Sequence, residues 1–242
     1  MLEGLYTAAA GMAAQEQRID AVSNDIANVN TAGYKKVRVG FRDLIYQQDG
    51  PTAVRTGAGA ALTQLGRGAQ QGSLQQTGNP FDLAIQGQGY FQVRRADGQL
   101  VLTRNGSFDV DGQGRLTDSN GELVVPGLTI PAGADASKVS IASDGTATLN
   151  GRRLGQIQIF DVTAPNGLVP AGDNNYLPSA ASGPVRRVAN PTLTQGTLES
   201  SNVDLADSMV DMMDAQRSYS MASKAITMQD KMAEIANGLK QS

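Results

Sequence analysis

Apolar residues recur every seven positions at the two ends of this chain, while its middle breaks into short alternating runs. Near the N-terminus Leu5, Met12, Ile19 and Ile26 form one such series. Ala8, Val22 and Val29 each follow a member by three residues, and Gln15 interrupts the pattern. A 3–4 alternation of this kind predicts a helix with one apolar seam, about three and a half heptads long. The helix is expected to stop near Asn30, with Gly33 turning the chain. The following "KKVRVGFRDLIYQ" shows no clear period. At the other end Leu205, Met212, Tyr219 and Ile226 repeat the spacing, and Met209, Ala215, Ala222, Met232, Ile235 and Leu239 widen the stripe. Ser201 or Asn202 is placed to cap a helix beginning near Val203 and running about 35 residues, long for a globular domain.

Between the helices, from about residue 76 to 187, the pattern becomes that of strands. "FDLAIQG", "GYFQVRR", "LVLTRNG", "GRLTD", "ELVVPG", "KVSIAS" and "LGQIQIFDV" are separated mostly by Asp-Gly or Asn-Gly pairs: Asp97-Gly98, Asn105-Gly106, Asp111-Gly112, Asn120-Gly121, Asp144-Gly145 and Asn150-Gly151. Such pairs supply the positive φ angles of tight hairpins. The fold class is α+β: a long helix at each end and a central antiparallel β domain. The two seams fit either a helical hairpin within one chain or helix packing between subunits.

Composition removes several functions. The 242 residues include no Cys and no His, so neither a thiol nucleophile nor a Ser-His-Asp triad nor a Cys/His zinc site can be built. A net charge of −3 with mixed signs gives no reason to expect a nucleic-acid partner. No apolar run is long enough to insert into a membrane. The start "MLEGLYTAAAGMAAQEQRID" lacks the basic and apolar parts of a cleaved secretory signal.

Candidate chemistry is sparse. "GQGYFQ" has Gln92 where a dinucleotide loop needs its third glycine, and a strand follows it. "DVDGQGRLTDSN" places Asp109, Asp111, Gln113 and Gly114 like the start of a calcium loop. Asn120 stands where the bidentate Glu belongs, so a hairpin is expected. Glu199 and Asp204 would form an acid–base pair only across a cleft that nothing announces. The methionines of the last helix are explained by packing. No metal or cofactor is expected.

Asn24, Asn28 and Asn30 crowd the end of the first helix, although asparagine competes with helical hydrogen bonding. These amides either face water and end the helix, or bond neighbouring backbone and set register, as a buried Asn does in coiled coils. Here a resemblance becomes specific. "SNDIANVNTAGYKK" resembles the N-terminal signature of the bacterial flagellar rod and hook family, S-N-N-I/L-A-N-x-x-T-x-G-Y/F-K. Ser23, Asn24, Ile26, Ala27, Asn28, Thr31, Gly33, Tyr34 and Lys35 fit; Asp25 replaces the second Asn. "TGNPFDLAIQGQGYFQV" resembles the segment opening the family's β domain. "TLESSNVDLADSMVDMMDAQRSYSMASKAI" resembles its C-terminal signature through Leu198, Glu199, Ser201, Asn202, Val203, Met209, Gln216, Arg217, Tyr219, Lys224 and Ala225.

The resemblance implies a non-enzymatic structural subunit, most similar to distal rod members, with proximal rod members as the alternative. A soluble ligand-binding β protein would leave the seams unexplained. Residues 1–45 and 188–242 would form a coiled-coil-like inner tube, 46–75 a connection and 76–187 the β domain. The signature residues, and the seam residues Leu5, Met12, Ile19, Leu205, Met212 and Ile226, would make assembly contacts. Implied partners are copies of the chain, other rod proteins, hook protein, the surrounding ring proteins and the type III export apparatus. Implied location is the extracytoplasmic basal body, periplasmic where the host has an outer membrane, reached without a cleaved signal. One departure is the short "QQDGPTAVRT" between Tyr46 and Gly57, where distal rod members carry a longer stretch.

Overall fold

The structure, a computed structural model, describes residues 2–46, 56–131, 134 and 138–239; the short stretch just mentioned falls outside these except for Thr56. The chain forms two compact units: Met1–Ala27, Val37–Leu65 and Asp204–Ser242 make the first, and Asn28–Lys36 with Gly66–Val203 make the second.

In the first unit, α1 (Leu2–Ala27) and α2 (Leu205–Leu239) contact each other. They run antiparallel, since Gly4 lies against the Gln229 side chain and Arg18 pairs with Asp211 at 3.0 Å. Along α1, Leu5, Ala8, Met12, Gln15, Ile19, Val22 and Ile26 are all at least half-buried. In α2 the corresponding face is Ser208, Met212, Ala215, Tyr219, Ala222, Ile226 and Gln229, a strict 4–3 alternation. Small residues let the helices approach: Ala215 and Ser208 are fully buried. Leu205, Met209, Met232 and Ile235, expected to belong to the buried stripe, are instead exposed, as are Val210, Met213, Met221 and Met228. α2 thus carries a second apolar side that the chain itself leaves uncovered. Strands β1 (Val37–Tyr46) and β2 (Thr56–Arg67) pair in a two-stranded sheet.

Both helix ends differ from expectation. α1 stops at Ala27 rather than near Asn30, because Thr31 N bonds Asn28 O at 3.1 Å and closes a tight turn. α2 starts at Leu205, and its cap is Asp204, whose Oδ1 accepts from Ala206 N (2.8 Å) and Asp207 N (3.2 Å). Ser201 instead accepts from Val203 N, and Asn202 is engaged elsewhere.

The second unit is the antiparallel β region. Its larger sheet orders Val169–Pro170 (β14), Asn175–Leu177 (β15), Leu100–Thr103 (β6), Phe91–Arg94 (β5), Leu123–Val124 (β9), Leu116–Asp118 (β8) and Phe108–Val110 (β7). A three-stranded sheet joins Val139–Ile141 (β10), Thr146–Leu149 (β11) and Arg152–Gln156 (β12), and Phe160–Val162 (β13) pairs with Val185–Arg187 (β16). Two further pairs reach far along the chain: Leu74–Gln76 (β3) with Thr197–Glu199 (β18), and Leu83–Ile85 (β4) with Leu193–Gln195 (β17). The core gathers Leu83, Ile85, Phe91, Val93, Phe108, Leu116, Ile157 and Ile159, with Phe91 and Phe108 edge-to-face at 5.0 Å.

Four hairpins close alike. In each a three-residue turn ends in a glycine with φ near +80°, at Gly98, Gly114, Gly121 and Gly145, and an Asp inside the turn (Asp97, Asp144) or just before it (Asp111, Asp118) accepts from the backbone N–H two residues on. The suspected calcium loop is one of them. Asp111 accepts from Gln113 N, Arg115 N and Arg115 Nε, all at 2.8 Å, so its carboxylate is occupied by the turn itself. Asn105-Gly106 is not a hairpin: Gly106 presses against the Leu83 carbonyl, where no side chain fits.

Candidate functional site

The turn after α1 belongs to the second unit, and it is there that the N-terminal signature finds its partners. Gly33 has φ +68°, and its N–H donates to Glu199 O at 2.7 Å. A side chain at Gly33 would also strike the Arg104 backbone. Thr31 Oγ1 donates to Asn28 Oδ1 at 3.1 Å. Tyr34 is buried under the Arg67 guanidinium, 5.1 Å from its ring centre. Lys36 N donates to Asn202 Oδ1 (2.7 Å), Asn202 Nδ2 to Gln70 O (3.0 Å), and Asn202 N to Tyr34 O (3.3 Å).

At the centre lies a buried charge triad. Lys35, Arg104 and Glu199 are 5 %, 6 % and 2 % exposed. Lys35 Nζ is 2.5 Å from Glu199 Oε1 and donates also to Gln70 O at 2.7 Å. Gly72 N adds a second donor to Oε1 at 2.9 Å. Arg104 Nε faces Glu199 Oε2 at 2.9 Å, a charge contact without hydrogen-bond alignment. Its Nη1 donates to Gly89 O at 2.5 Å and Nη2 to Gly87 O. Burial holds Lys35 below the ordinary lysine value, and Glu199 partly offsets this. The adjoining cavity, about 40 Å³ and lined by Lys35, Tyr90, Arg104 and Asp161, is too small for a substrate. The triad shares one carboxylate between two cations and ties three chain segments together.

The structure therefore joins Asn28, Thr31, Gly33, Tyr34 and Lys35 of the N-terminal signature with Glu199 and Asn202 of the C-terminal one, and leaves the signature residues of the two helices apart from them. Ser23, Asn24 and Ala27 lie on the exposed side of α1, with Ile26 half-buried; Met209, Gln216 and Arg217 are exposed on α2, with Tyr219 half-buried. Asp25, the departure from the pattern, is 1 % exposed and accepts from Val37 N at 3.0 Å. Sequence reasoning gave Arg104 no role and read Glu199 as a signature position and a candidate catalytic acid, not as the partner of Lys35 and Arg104. One signal was present for Glu199: period-two alternation puts it on the same buried face as Thr197, and a carboxylate there needs a cation.

Comparison with known proteins gives this triad a setting. The chain matches, in order, "Flagella basal body rod protein" over residues 5–35, "Flagellar hook protein FlgE/F/G D1 domain" over 84–149 and "Flagellar basal body rod FlgEFG protein C-terminal" over 194–239. Each matched segment contributes one member of the triad, and together they define an axial protein of the flagellar rod and hook. The flagellar basal-body rod protein FlgG of Caulobacter vibrioides is 37% identical over 261 residues, 99% of this chain and 100% of its own. That of Bacillus subtilis is 37% identical over 264 residues, with the same coverage. FlgF of Mesorhizobium japonicum is 28% identical over 221 residues, 90% of each chain. The chain belongs to the family of the flagellar basal-body rod protein FlgG.

Proposed function

We propose that the protein is a structural subunit of the distal part of the basal-body rod, and that copies assemble into a hollow helical shaft carrying torque from motor to hook. The observation carrying this reading is the full-length similarity to FlgG, 37% against 28% for FlgF; a proximal rod subunit of the same family is the alternative. The uncovered apolar side of α2 supports it. An exposed apolar surface of this kind marks an interaction site, and a contact between unlike surfaces of identical subunits propagates a filament.

In this reading the terminal helices of many copies pair as a coiled-coil-like tube. Gly33, Tyr34, Lys35 and Asn202 hold each subunit's own turn. Ser23, Gln216 and Arg217, exposed on the helices, face neighbours. Passage through the type III export apparatus, and contacts with hook protein, other rod proteins and the surrounding rings, follow from the same reading. The test is Met221→Asp, at a position 65 % exposed in the chain. A charge buried in an apolar contact costs several kcal/mol in assembly, against only about 0.5 kcal/mol of helix propensity in the free subunit. The variant should keep the parent's melting temperature while electron microscopy of basal bodies shows the distal rod missing. Normal rods and motility would overturn the proposal.

A further inference from the structure

We infer that an amide-lined cleft in the β unit is a socket for a polypeptide segment of a second copy of this chain; this rests on the rod reading above. The cleft measures about 470 Å³ and is lined by polar side chains from four loops. Asn105, Ser119, Asn120, Asp173, Asn174 and Asn175 supply most of them. They are not equally occupied. Asn174 is spent within the chain, its Nδ2 donating to Ala32 O and its Oδ1 accepting from Tyr176. Asn175 is 2 % exposed; its Nδ2 donates to Glu122, while its Oδ1 has no hydrogen-bond partner. Arg67, on another wall, leaves Nε buried without a hydrogen-bond partner. Both atoms belong to residues of the cleft wall and are left unpaired within the chain, a rare state for buried polar atoms.

The chemistry of the walls selects the occupant. Charge is nearly balanced, with Arg67 against Asp173, so a phosphate or another strong anion finds no cluster of cations. A saccharide of matching polarity would use an exposed ring as a stacking platform. Both aromatic residues of the lining, Tyr34 and Tyr176, are buried, at 5 % and 3 % exposed. Carboxamides, each with donors and an acceptor, are the side-chain counterpart of the peptide group. Backbone of a neighbouring subunit fits these walls, and a filament brings it there at high local concentration. Asn120 and Ser119 sit exposed on the hairpin tip that forms one rim.

Because the chain contains no cysteine, one can be introduced cleanly. Asn120→Cys and Asp173→Cys, each labelled with a benzophenone maleimide, should crosslink assembled rods into dimers. Mass spectrometry should place the joined peptide in the β unit of the second copy, and the free subunit should give no dimer. A bulky Asn120→Trp should reduce rod yield about tenfold with an unchanged melting temperature. If rods form normally but neither label yields a dimer, or Asn120→Trp assembles like the parent, the inference is wrong. Crosslinks to sugar would also overturn it, in favour of a glycan site. If the unmodified protein forms no rods, the rod reading itself fails first.

Discussion

Glu199 is the residue on which the second unit turns. Its backbone oxygen receives Gly33, and its carboxylate faces Lys35, Arg104 and Gly72 N. Removing the anion leaves two buried cations without compensation. Breaking one partner of a buried pair costs about 3–5 kcal/mol. Glu199→Ala should lower unfolding free energy by that amount in urea titrations, with helix content retained in the folded state. Alkaline pH probes the same neighbourhood with opposite signs. Lys35, lowered by burial, has shed its proton in the folded state before the unfolded chain does, so its contribution to stability rises as pH climbs toward 10.5. Tyr90 is raised from 10.0 to about 12, chiefly by burial. The unfolded chain ionises it first, so its contribution is complete below pH 10 and is lost as pH rises through about 12. Tyr90→Phe should flatten the fall in stability over that window, measured by urea unfolding at stepped pH.

At the level of elements, what the sequence reveals depends on how local the cause is. The faces of α1 and the inner face of α2 follow from 3–4 spacing, and hairpins with Asp and a positive-φ glycine follow from turn chemistry. Helix ends are less readable, since Ser201, Asn202 and Asp204 are all good caps, and only tertiary bonds to Lys36 and Gln70 withdraw Asn202. Asn105-Gly106 misleads for the same reason: its glycine answers to the distant Leu83 carbonyl. Arg104 was invisible because its partner lies 95 positions away in the chain and no local pattern links them. The cap can be tested directly. Asp204→Ala should cost about 1 kcal/mol and fray the first turn of α2, seen as faster amide exchange at Ala206 and Asp207. Unchanged exchange there would reassign the cap.

For the whole molecule, the β unit is not a continuous piece of chain. β4 takes β17 as partner and β3 takes β18, so the unit closes only with residues beyond 190. Leu193 and Glu199 are buried members of it. A fragment of residues 76–187, the span that alternation alone suggests, lacks both strands and the turn at 28–36. Residues 28–203 should unfold in one cooperative transition, whereas 76–187 should melt broadly and at lower temperature. Equal, sharp calorimetric transitions would show that the long-range pairs are dispensable.

The outer side of α2 has one more consequence. Met209, Met213, Met221, Met228 and Met232 are each about half exposed or more along a single helix. Thioethers in that position meet peroxide and hypochlorous acid freely, and conversion to the sulfoxide makes a flexible apolar group polar and chiral. A subunit oxidised before it joins its neighbours would bring wet sulfoxides to a surface meant to be dry. One already in place would have its sulfurs shielded by the next copy. Oxidative stress would then act on the supply of new subunits and spare the finished shaft.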